Sequence, residues 1–514
     1  MSLQPPDESA ITAVAESYGF GLHEADVASF APLVQGVLRS WDAVEKLHDQ
    51  VRPKVPERAW SRPKPADNPL GAWYVTCTVT GSDEGPLAGR TVAVKDNTAV
   101  AGVPMMVGSA TMTGFVPRRD ATIVSRLLDA GATIAGKAVC EDLCTSGGSH
   151  TSRTGPVRNP WDPTRTSGGS SSGSAALVAA GIVDFATGGD QAGSIRIPAS
   201  FSGIVGHKPT YGLVPYTGAF PVDFTIDHVG PMTRTVADAA LLLGVMAGRD
   251  GHDPRQPADL AVEDYVGALA RPADGLRVGV VSEGFGHSDS TAAVDDTVRA
   301  AVEILRAAGL TVDDVSIPWH LHGKNLWIVI NVEGSTAQMV DGNGYGLSQR
   351  GLYDPELMRF YGTKWREDGS QFSEVVKFML LAGRHMLNRH HGMHYAMARN
   401  LVPRLRAAYD EALDRYDVLV MPTTPMQASI ILAADAPREE VIARAVEPVT
   451  NTCPLDVSGH PACSVPAGLV NGLPTGMMII GKHFDDATVL RVAHTFEQAI
   501  GGFPAPAAAT VTSV

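Results

Sequence analysis

Apolar residues recur at helical spacing within the first 50 positions of the chain. They lie three or four residues apart, on one face of an α-helix, and comprise Phe30, Leu33, Val34, Val37, Leu38, Trp41 and Val44. A proline-punctuated stretch from 53 to 69 follows and is typical of a linker. We therefore predict an N-terminal helical domain and linker over residues 1–68. Two helices cannot bury such a stripe alone, so it is expected to dock on the main body, on a second copy of the chain (serving as a dimerisation arm), or on both.

From about residue 70 the pattern changes to short β-branched runs that alternate with alanine-rich helical segments. The predicted buried strands span 91–94, 133–135, 278–281, 418–421 and 477–480. The predicted helices span 121–130, 175–180, 236–246, 297–308 and 487–500. This alternation predicts an α/β layered fold with a mixed central β-sheet flanked by helices.

The region from about 320 to 415 interrupts the alternation, because it is mostly helical and richer in Met, His and aromatic residues. We predict a smaller inserted, mostly helical region over residues 276–415. Residues 69–275 and 416–514 would then form the main α/β core. Inserted covers of this kind often supply the walls of a substrate pocket.

Charge and composition exclude several functional classes. The formal net charge is −14, and no Lys/Arg run with interleaved aromatics is present, which argues against a nucleic-acid partner. No apolar run approaches the ~20 residues that cross a bilayer, so no membrane partner is expected. The five cysteines are too few for a disulfide framework, and Cys140 and Cys144 lack a second pair at zinc-ligand spacing. Since the N-terminus also lacks the features of a signal peptide, we expect a cytoplasmic protein.

A serine-rich segment at residues 167–174, Ser-Gly-Gly-Ser-Ser-Ser-Gly-Ser, precedes an alanine-rich helix. A flexible linker is disfavoured, because hydrophobic sequence flanks the segment closely on both sides. Gly169, Ser171 and Gly173 match a GxSxG nucleophile elbow, but the proline-containing stretch before them cannot be the strand that this motif requires. A phosphate-binding loop would need a lysine that is missing here.

A second glycine-rich segment at residues 188–198 reads Gly-Gly-Asp-Gln-Ala-Gly-Ser-Ile-Arg-Ile-Pro. Small residues on both sides of a serine let several backbone N–H groups converge on one point, as an oxyanion hole requires. A tight turn around Gly193 and Ser194 explains this segment equally well on its own.

Together the two segments resemble the amidase signature family, whose hallmark is a GGSS(G/S)GS run followed by a GGS-I-R run at this separation. Lys95 matches the lysine that the family carries at the end of a strand. The resemblance continues in order through segments 147–152, 155–160, 206–215, 227–231, 420–425 and 458–462, and covers roughly residues 70 to 500. The N-terminal helices and the Gly-Asp-Gln sequence are similar to the enantioselective acyl amidases linked to nitrile hydratases. Ala192 departs from many members, which have glycine there, and its methyl group would narrow the pocket.

The resemblance implies that Ser194 is the nucleophile, Ser170 a bridging serine on a cis peptide, and Lys95 the base. It also implies an oxyanion hole made by the backbone N–H groups of Gln191, Ala192, Gly193 and Ser194. Substrate contacts at Thr145, Ser146 and Gly147 are implied more weakly, because a tight turn explains these three residues nearly as well. The implied reaction is the hydrolysis of a small-molecule carboxylic amide to acid and ammonia through an acyl-enzyme. It needs no metal and no cofactor.

The chemistry fits these roles, because a serine hydroxyl must lose its proton as it attacks. A lysine accepts that proton only in its neutral form, and burial disfavours the ammonium. Asp96 is therefore expected to be a structural hydrogen-bonding group, since a carboxylate close to the base would favour its charged form. Asp190 and Arg196 are expected to form an ion pair that fixes the loop.

Other assignments remain open. His390, His391 and His394 suggest a metal, but no HExxH pattern or carboxylate partner accompanies them, so packing or pocket lining is favoured. The glutaminase subunit of a tRNA amidotransferase shares the motifs, as do hydrolases of acyl hydrazides, anilides or carbamates. A non-catalytic scaffold would require a broken triad, and a metal-dependent amidase would be sensitive to chelators.

Overall fold

A computed structural model describes residues 4–507. The chain forms two compact units, and the boundary between them in the sequence lies between Val55 and Pro56. The first unit contains two helices, α1 (Glu8–Tyr18) and α2 (Glu24–Val51). The Asp7 side chain accepts from the N–H of Ala10 and caps α1, and Gly19, at φ 67°, ends it. The predicted N-terminal helices are thus confirmed.

The second unit is built on one twelve-stranded mixed sheet in the order β1-β2-β4-β3-β5-β7-β6-β11-β12-β10-β8-β9. Strand β3 is parallel to both β4 and β5, and β8 is parallel to both β10 and β9, whereas the other neighbours are antiparallel. The strands are β1 (Trp60–Ser61), β2 (Trp73–Thr80), β3 (Thr91–Lys95), β4 (Thr133–Ala138), β5 (Phe185–Asp190), β6 (Val205–Lys208), β7 (His228–Thr233), β8 (Arg277–Val281), β9 (Thr311–Val315), β10 (Val418–Pro422), β11 (Ala462–Val470) and β12 (Leu473–Gly481).

Helices surround this sheet. They are α3 (Thr122–Asp129), α4 (Ser172–Ala179), α5 (Arg196–Ser202), α6 (Val236–Met246), α7 (Tyr265–Ala268), α8 (Ala292–Ala307), α9 (His320–Gly334), α10 (Pro355–Glu367), α11 (Glu374–His390), α12 (Met393–Leu413), α13 (Arg438–Val446), α14 (Cys453–Ser458) and α15 (Asp486–Ala499). A π-helical stretch, Ser335–Asp341, continues α9. Each predicted strand and helix of the α/β pattern lies within or overlaps one of these elements, so the predicted fold class is confirmed.

The central strands of the sheet are buried on both faces, which explains their nearly continuous apolar runs. Along β10 and β12 alternate residues enter two different hydrophobic clusters. Val418 and Ile479 belong to one cluster, which includes residues of α4, α6, α8 and α15. Leu419 and Ile480 belong to the other, which includes residues of α9, α12 and α14. The side-chain alternation of a strand thus distributes one sequence run between two cores.

Residues 276–315 of the predicted insert contribute β8 and β9 to the central sheet, with α8 between them. From residue 320 onward this region is helical through α9, α10, α11 and α12, as the sequence pattern predicts. Treating 276–415 as one inserted unit stays a prediction, and the last seven residues of the predicted core lie outside the described part. No helix within residues 4–507 combines the length and apolarity needed to cross a membrane.

Candidate active site

The parallel pairing of β3 and β5 places their carboxyl ends side by side. Ala93 is paired with Ala186, and the Lys95 N–H donates to Thr187 Oγ1 at 3.1 Å. Lys95, the last residue of β3, therefore lies next to the glycine pair that ends β5. Its side chain is fully buried, and its Nζ donates to the Gly189 carbonyl at 3.0 Å.

The serine-rich segment, residues 167–174, lies at the carboxyl ends of β3 and β5 and leads into α4. Its serines bind the neighbouring strand: Ser174 Oγ donates to the Thr187 carbonyl at 2.8 Å, and Ser171 Oγ donates to that of Gly189 at 3.2 Å. A Cβ on Gly169 would lie 1.9 Å from the Gly148 carbonyl oxygen, so a larger residue cannot occupy that position. The Gly169–Ser170 peptide bond is cis.

Lys95 and Ser170, 75 positions apart in the sequence, meet at this point. The distance from Lys95 Nζ to Ser170 Oγ is 2.8 Å, and both side chains are fully buried. The lysine is thus excluded from water, while its only polar contacts among the described residues are one hydroxyl and one carbonyl.

Ser194 follows β5 in the loop that leads to α5. The N–H of Ser171 donates to the Ser194 carbonyl at 3.2 Å, which holds the two serine-containing segments together. Within residues 4–507, Ser194 Oγ has no hydrogen-bond partner, and the residue, 4% exposed, lines a pocket. Its hydroxyl is therefore available to a molecule that enters.

A buried ion pair fixes the base of this loop. Arg196 Nε lies 3.0 Å from Asp190 Oδ2, and Arg196 Nη2 lies 2.8 Å from Asp456 Oδ2. Burial disfavours the Asp190 carboxylate, but the charges of Arg196 and Lys208 and the hydrogen bonds to this group together hold the pKa of that carboxyl well below its usual range. Burial and the charge of Asp190 raise the pKa of Asp456 well above its usual range. The expected Asp190–Arg196 pair is confirmed.

One backbone donor of the expected oxyanion hole is already engaged. The Gly193 N–H donates to Asp190 Oδ1, and the Ile195 N–H donates to Asp190 Oδ2 at 3.1 Å. In this structure a carboxylate three residues back thus takes the single proton that the Gly193 backbone offers. A Cβ at Gly193, where φ is 128°, would also lie 2.2 Å from Thr452 Oγ1. Of the expected hole residues, Gln191, Ala192 and Ser194 line the pocket.

The pocket beside Ser194 is narrow, with about 30 Å³ of space for a water-sized molecule, and has mostly apolar walls. It is lined by Cys144, Thr145, Ser146, Gly147, Gln191, Ala192, Ser194, Ile197, Val222, Trp327, Asn331, Ala445, Val446 and Val449. Thr145, Ser146 and Gly147 are thus among the lining residues, although the Thr145 hydroxyl donates to the Asp142 carbonyl and the Gly147 N–H to that of Ala445.

Comparison with known proteins identifies the family. A sequence profile described as Amidase matches residues 72–490. An enantioselective amidase of Rhodococcus rhodochrous is 54% identical over 516 residues, which cover 99% of both chains. The chain belongs to the amidase signature family. The family profile lies within the second unit, whereas the Rhodococcus match extends over almost the whole chain.

Other amidase-family relatives differ in reaction. A glutamyl-tRNA(Gln) amidotransferase subunit from Exiguobacterium sibiricum is 38% identical, and the match covers 82% of this chain and 86% of that protein. The crystal structure of a peptide amidase from Stenotrophomonas maltophilia has a TM-score of 0.68 at 30% identity, and covers 83% of this chain and 85% of that one.

Sequence reasoning missed several pocket residues of this amidase-family chain, of which Trp327 and Cys144 make the most informative contacts. Trp327 lies in α9, and its Nε1 donates to the Gln191 carbonyl at 2.8 Å. Cys144 belongs to a buried hydrophobic cluster and also lines the pocket, and a hydrogen bond with the Cys140 side chain lowers the pKa of its thiol to about 7. Neither residue stands in a motif, and only the packing of distant segments brings them to Ser194.

The remaining candidates lie apart from the reacting atoms. Asp96 accepts from the backbone N–H groups of Met106 and Val107 and lies 3.0 Å from Lys137 Nζ, so it is a structural hydrogen-bonding group, as expected. The rings of His390 and His394 are in contact, with centroids 4.7 Å apart. Neither of these histidines lines the Ser194 pocket.

Proposed function

We propose that this protein hydrolyses carboxylic amides, aliphatic, aromatic or both, to the acid and ammonia through an acyl-enzyme on Ser194. The observation that carries the proposal is the 2.8 Å contact between the buried Lys95 Nζ and Ser170 Oγ, beside a pocket that Ser194 lines. Membership of the amidase signature family supports the same reaction.

In the proposed mechanism Ser194 Oγ attacks the amide carbonyl as its proton passes to Ser170 Oγ. Ser170 gives its own proton to the Lys95 amine, whose Nζ lies 2.8 Å from Ser170 Oγ. The relay then runs in reverse and protonates the leaving nitrogen, so that ammonia departs and the ester on Ser194 remains. Water repeats the sequence and releases the acid.

The tetrahedral intermediate carries a negative oxygen that backbone N–H groups stabilise. We assign this role to Gln191, Ala192 and Ser194, because the N–H of Gly193 is held by Asp190. Losing one donor of an oxyanion hole typically slows an enzyme by about 10²–10³-fold, so the geometry of this loop matters for the rate.

The apolar walls favour a small acyl group over a charged one. Ile197, Val222 and Val449 supply these walls, and Asn331 adds a polar group. We propose that Thr145, Ser146 and Gly147 also contact the substrate. The preferred acyl group and any enantioselectivity depend on how these side chains fit each substrate.

The glutaminase subunit of a tRNA amidotransferase is the second candidate, supported by the 38% identity to the Exiguobacterium protein. The match to that protein covers 82% of this chain, whereas the match to the enantioselective amidase covers 99%. We favour the amidase for this reason. Acyl hydrazides, anilides and carbamates are alternative substrates of the same nucleophile.

We further propose a cytoplasmic homodimer that pairs through α2. Along this helix Leu33, Val37, Trp41 and Val44 are each more than half exposed, so the helix pair leaves an apolar stripe uncovered. The five cysteines are free thiols, which fits a reducing compartment. Light scattering at micromolar concentration should give the mass of two chains, and a single-chain mass would refute the dimer.

The function is tested by ammonia release from acetamide, propionamide, benzamide and glutamine, with wild type and Ser194→Ala, each with and without chelator. We expect turnover of simple amides that the substitution abolishes and the chelator does not change. Turnover of glutamine alone would support the glutaminase role instead. If no substrate releases ammonia, hydrazides, anilides and carbamates are the next panel.

A further inference from the structure

A cluster of two imidazoles and a carboxylate lies outside the Ser194 pocket. Asp410 is on α12, His460 lies just before β11, and His483 follows β12. One ligand atom from each can be chosen such that all three lie within 4.8 Å of one another. Since β11 and β12 are antiparallel neighbours, the start of one and the end of the other bring the two histidines together.

We propose that Asp410, His460 and His483 form a binding site for a transition-metal ion, of which Zn²⁺ is the natural probe. Two neutral imidazoles and one carboxylate form one of the three-ligand sets that bind zinc in proteins. A water molecule would complete a tetrahedral site.

Both ring nitrogens of His460 have hydrogen-bond partners. Because a carboxylate only accepts, Nε2 carries the proton that faces Asp410, and a bound metal would replace that proton. The Nδ1 of His460 lies 3.0 Å from Ser458 Oγ, which fixes the ring in the way that an outer-shell partner does. Its Nε2 lies 3.0 Å from Asp410 Oδ1. Two ligands at ~2.0 Å from a tetrahedral zinc are about 3.3 Å apart, so these two atoms are already at ligand spacing.

His483 supplies the third ligand. Its ring lies 4.2 Å from that of His460, centroid to centroid, and its Nε2 is buried with no hydrogen-bond partner among residues 4–507. A buried imidazole nitrogen without a partner is unfavourable, and a metal would satisfy it. The half-exposed side chain of Asp410 has room to close the remaining distance.

Two cations border the cluster and restrict which metal it accepts. Arg406 Nε donates to the Ser458 carbonyl at 3.0 Å, and Lys208 Nζ donates to that of His460 at 2.6 Å. Their charge weakens the binding of any cation. Metals that bind imidazole strongly, such as zinc, are therefore expected, rather than calcium or magnesium, which prefer sets of oxygen ligands.

The site would be structural, because none of its ligands lines the Ser194 pocket. Bound metal would connect α12 to the ends of β11 and β12, and so stabilise the folded chain in proportion to its occupancy. The proposed amide hydrolysis does not pass through this site, so the two proposals fail independently.

The test is a zinc titration of the metal-stripped full chain, monitored by competition with a chromophoric chelator. We expect one zinc ion per chain and an affinity that falls at least tenfold in both His483→Ala and Asp410→Asn. Neither residue is fully buried, so both variants should fold. His252→Ala, which removes an exposed histidine elsewhere, is the matched control and should bind zinc as wild type does.

Thermal unfolding provides the second measurement. Zinc should raise the melting temperature of wild type and His252→Ala, but not that of His483→Ala. Absence of stoichiometric binding by wild type, or unchanged affinity in the two cluster variants, would overturn the proposal. Loss of binding in a His390→Ala/His394→Ala variant alone would place the metal at that pair instead and refute the site.

Discussion

The indole nitrogen of Trp327 donates a hydrogen bond of 2.8 Å to the carbonyl oxygen of Gln191. This contact joins a helix of the 320–415 region to the loop that carries the nucleophile. The peptide unit that accepts the bond also includes the N–H of Ala192. Trp327 therefore fixes the orientation of a proposed oxyanion donor without being a donor itself.

Replacing this tryptophan tests the positioning role. Trp327→Phe keeps an aromatic ring in the pocket but removes the N–H. We expect kcat to fall about tenfold, which is less than the 10²–10³-fold loss typical of removing an oxyanion donor itself, because the Ala192 N–H is still present. The melting temperature should change little. Trp365→Phe is the matched control, because it removes an indole donor to Asn343 Oδ1 far from Ser194, and its kcat should equal that of wild type. Equal kcat in both variants would refute the role.

The proton relay predicts a large loss of rate in Ser170→Ala and Lys95→Met. Each change removes a group that carries the proton, so we expect kcat to fall by about 10³-fold or more while the fold is kept. Ser174→Ala is the control, because it removes a buried hydroxyl of the same segment that bonds to Thr187 rather than to Lys95. Circular dichroism and amide turnover are measured on all three. Near-wild-type rates in Ser170→Ala would contradict the relay.

The buried ion pair at the base of the loop predicts a large effect on stability. Asp190→Asn leaves Arg196 with one carboxyl partner and removes a charge from the interior. We expect the free energy of unfolding to fall by about 3–5 kcal/mol, and activity to fall with it because the Gly193 turn loosens. Asp313→Asn breaks an ion pair that is 51% exposed on both sides, and should cost about 1 kcal/mol or less. Equal costs in denaturant titrations would contradict this account.

A second carboxyl near the pocket predicts how stability depends on pH. Burial raises the pKa of Asp142 from 3.8 to about 6. Between these values the folded state binds more protons than the unfolded chain, so this residue lowers stability as pH rises from about 4 to about 6. Asp142→Asn should therefore be more stable than wild type at pH 8, by up to about 3 kcal/mol, and the gain should shrink towards pH 4. A variant that is less stable at pH 8 would contradict the assignment.

The sequence predicts much of the fold, because apolar runs with the right period identify β3, β10 and β12 as well as α6 and α15. It does not reveal β5, since this strand ends in Gly188, Gly189 and Asp190, residues with low strand propensity. That segment forms a strand because Ser171, Ser174 in the first turn of α4 and the neighbouring strand β7 satisfy its backbone groups. Tertiary contacts here override local preference.

The chemistry of the site was predictable only where it lies in motifs. Lys95, Ser170 and Ser194 belong to motifs that resemble those of a known family, whereas Trp327 and Cys144 reach the pocket through packing alone. The engagement of the Gly193 N–H by Asp190 is a matter of loop geometry, which a run of small residues does not specify. Likewise, Asp410, His460 and His483 come from three segments that are far apart in the sequence, and no motif spacing predicts that they form a cluster.

The central claim is that an acyl group is transferred to Ser194 before water attacks. The most direct test uses two substrates with the same acyl group and different leaving groups, such as benzamide and benzanilide, at a fixed concentration of hydroxylamine. A common acyl-enzyme gives the same ratio of hydroxamate to acid from both substrates, because water and hydroxylamine compete for one intermediate, and Ser194→Ala forms neither product. A ratio that changes with the leaving group would contradict the acyl-enzyme and with it the role assigned to Ser194.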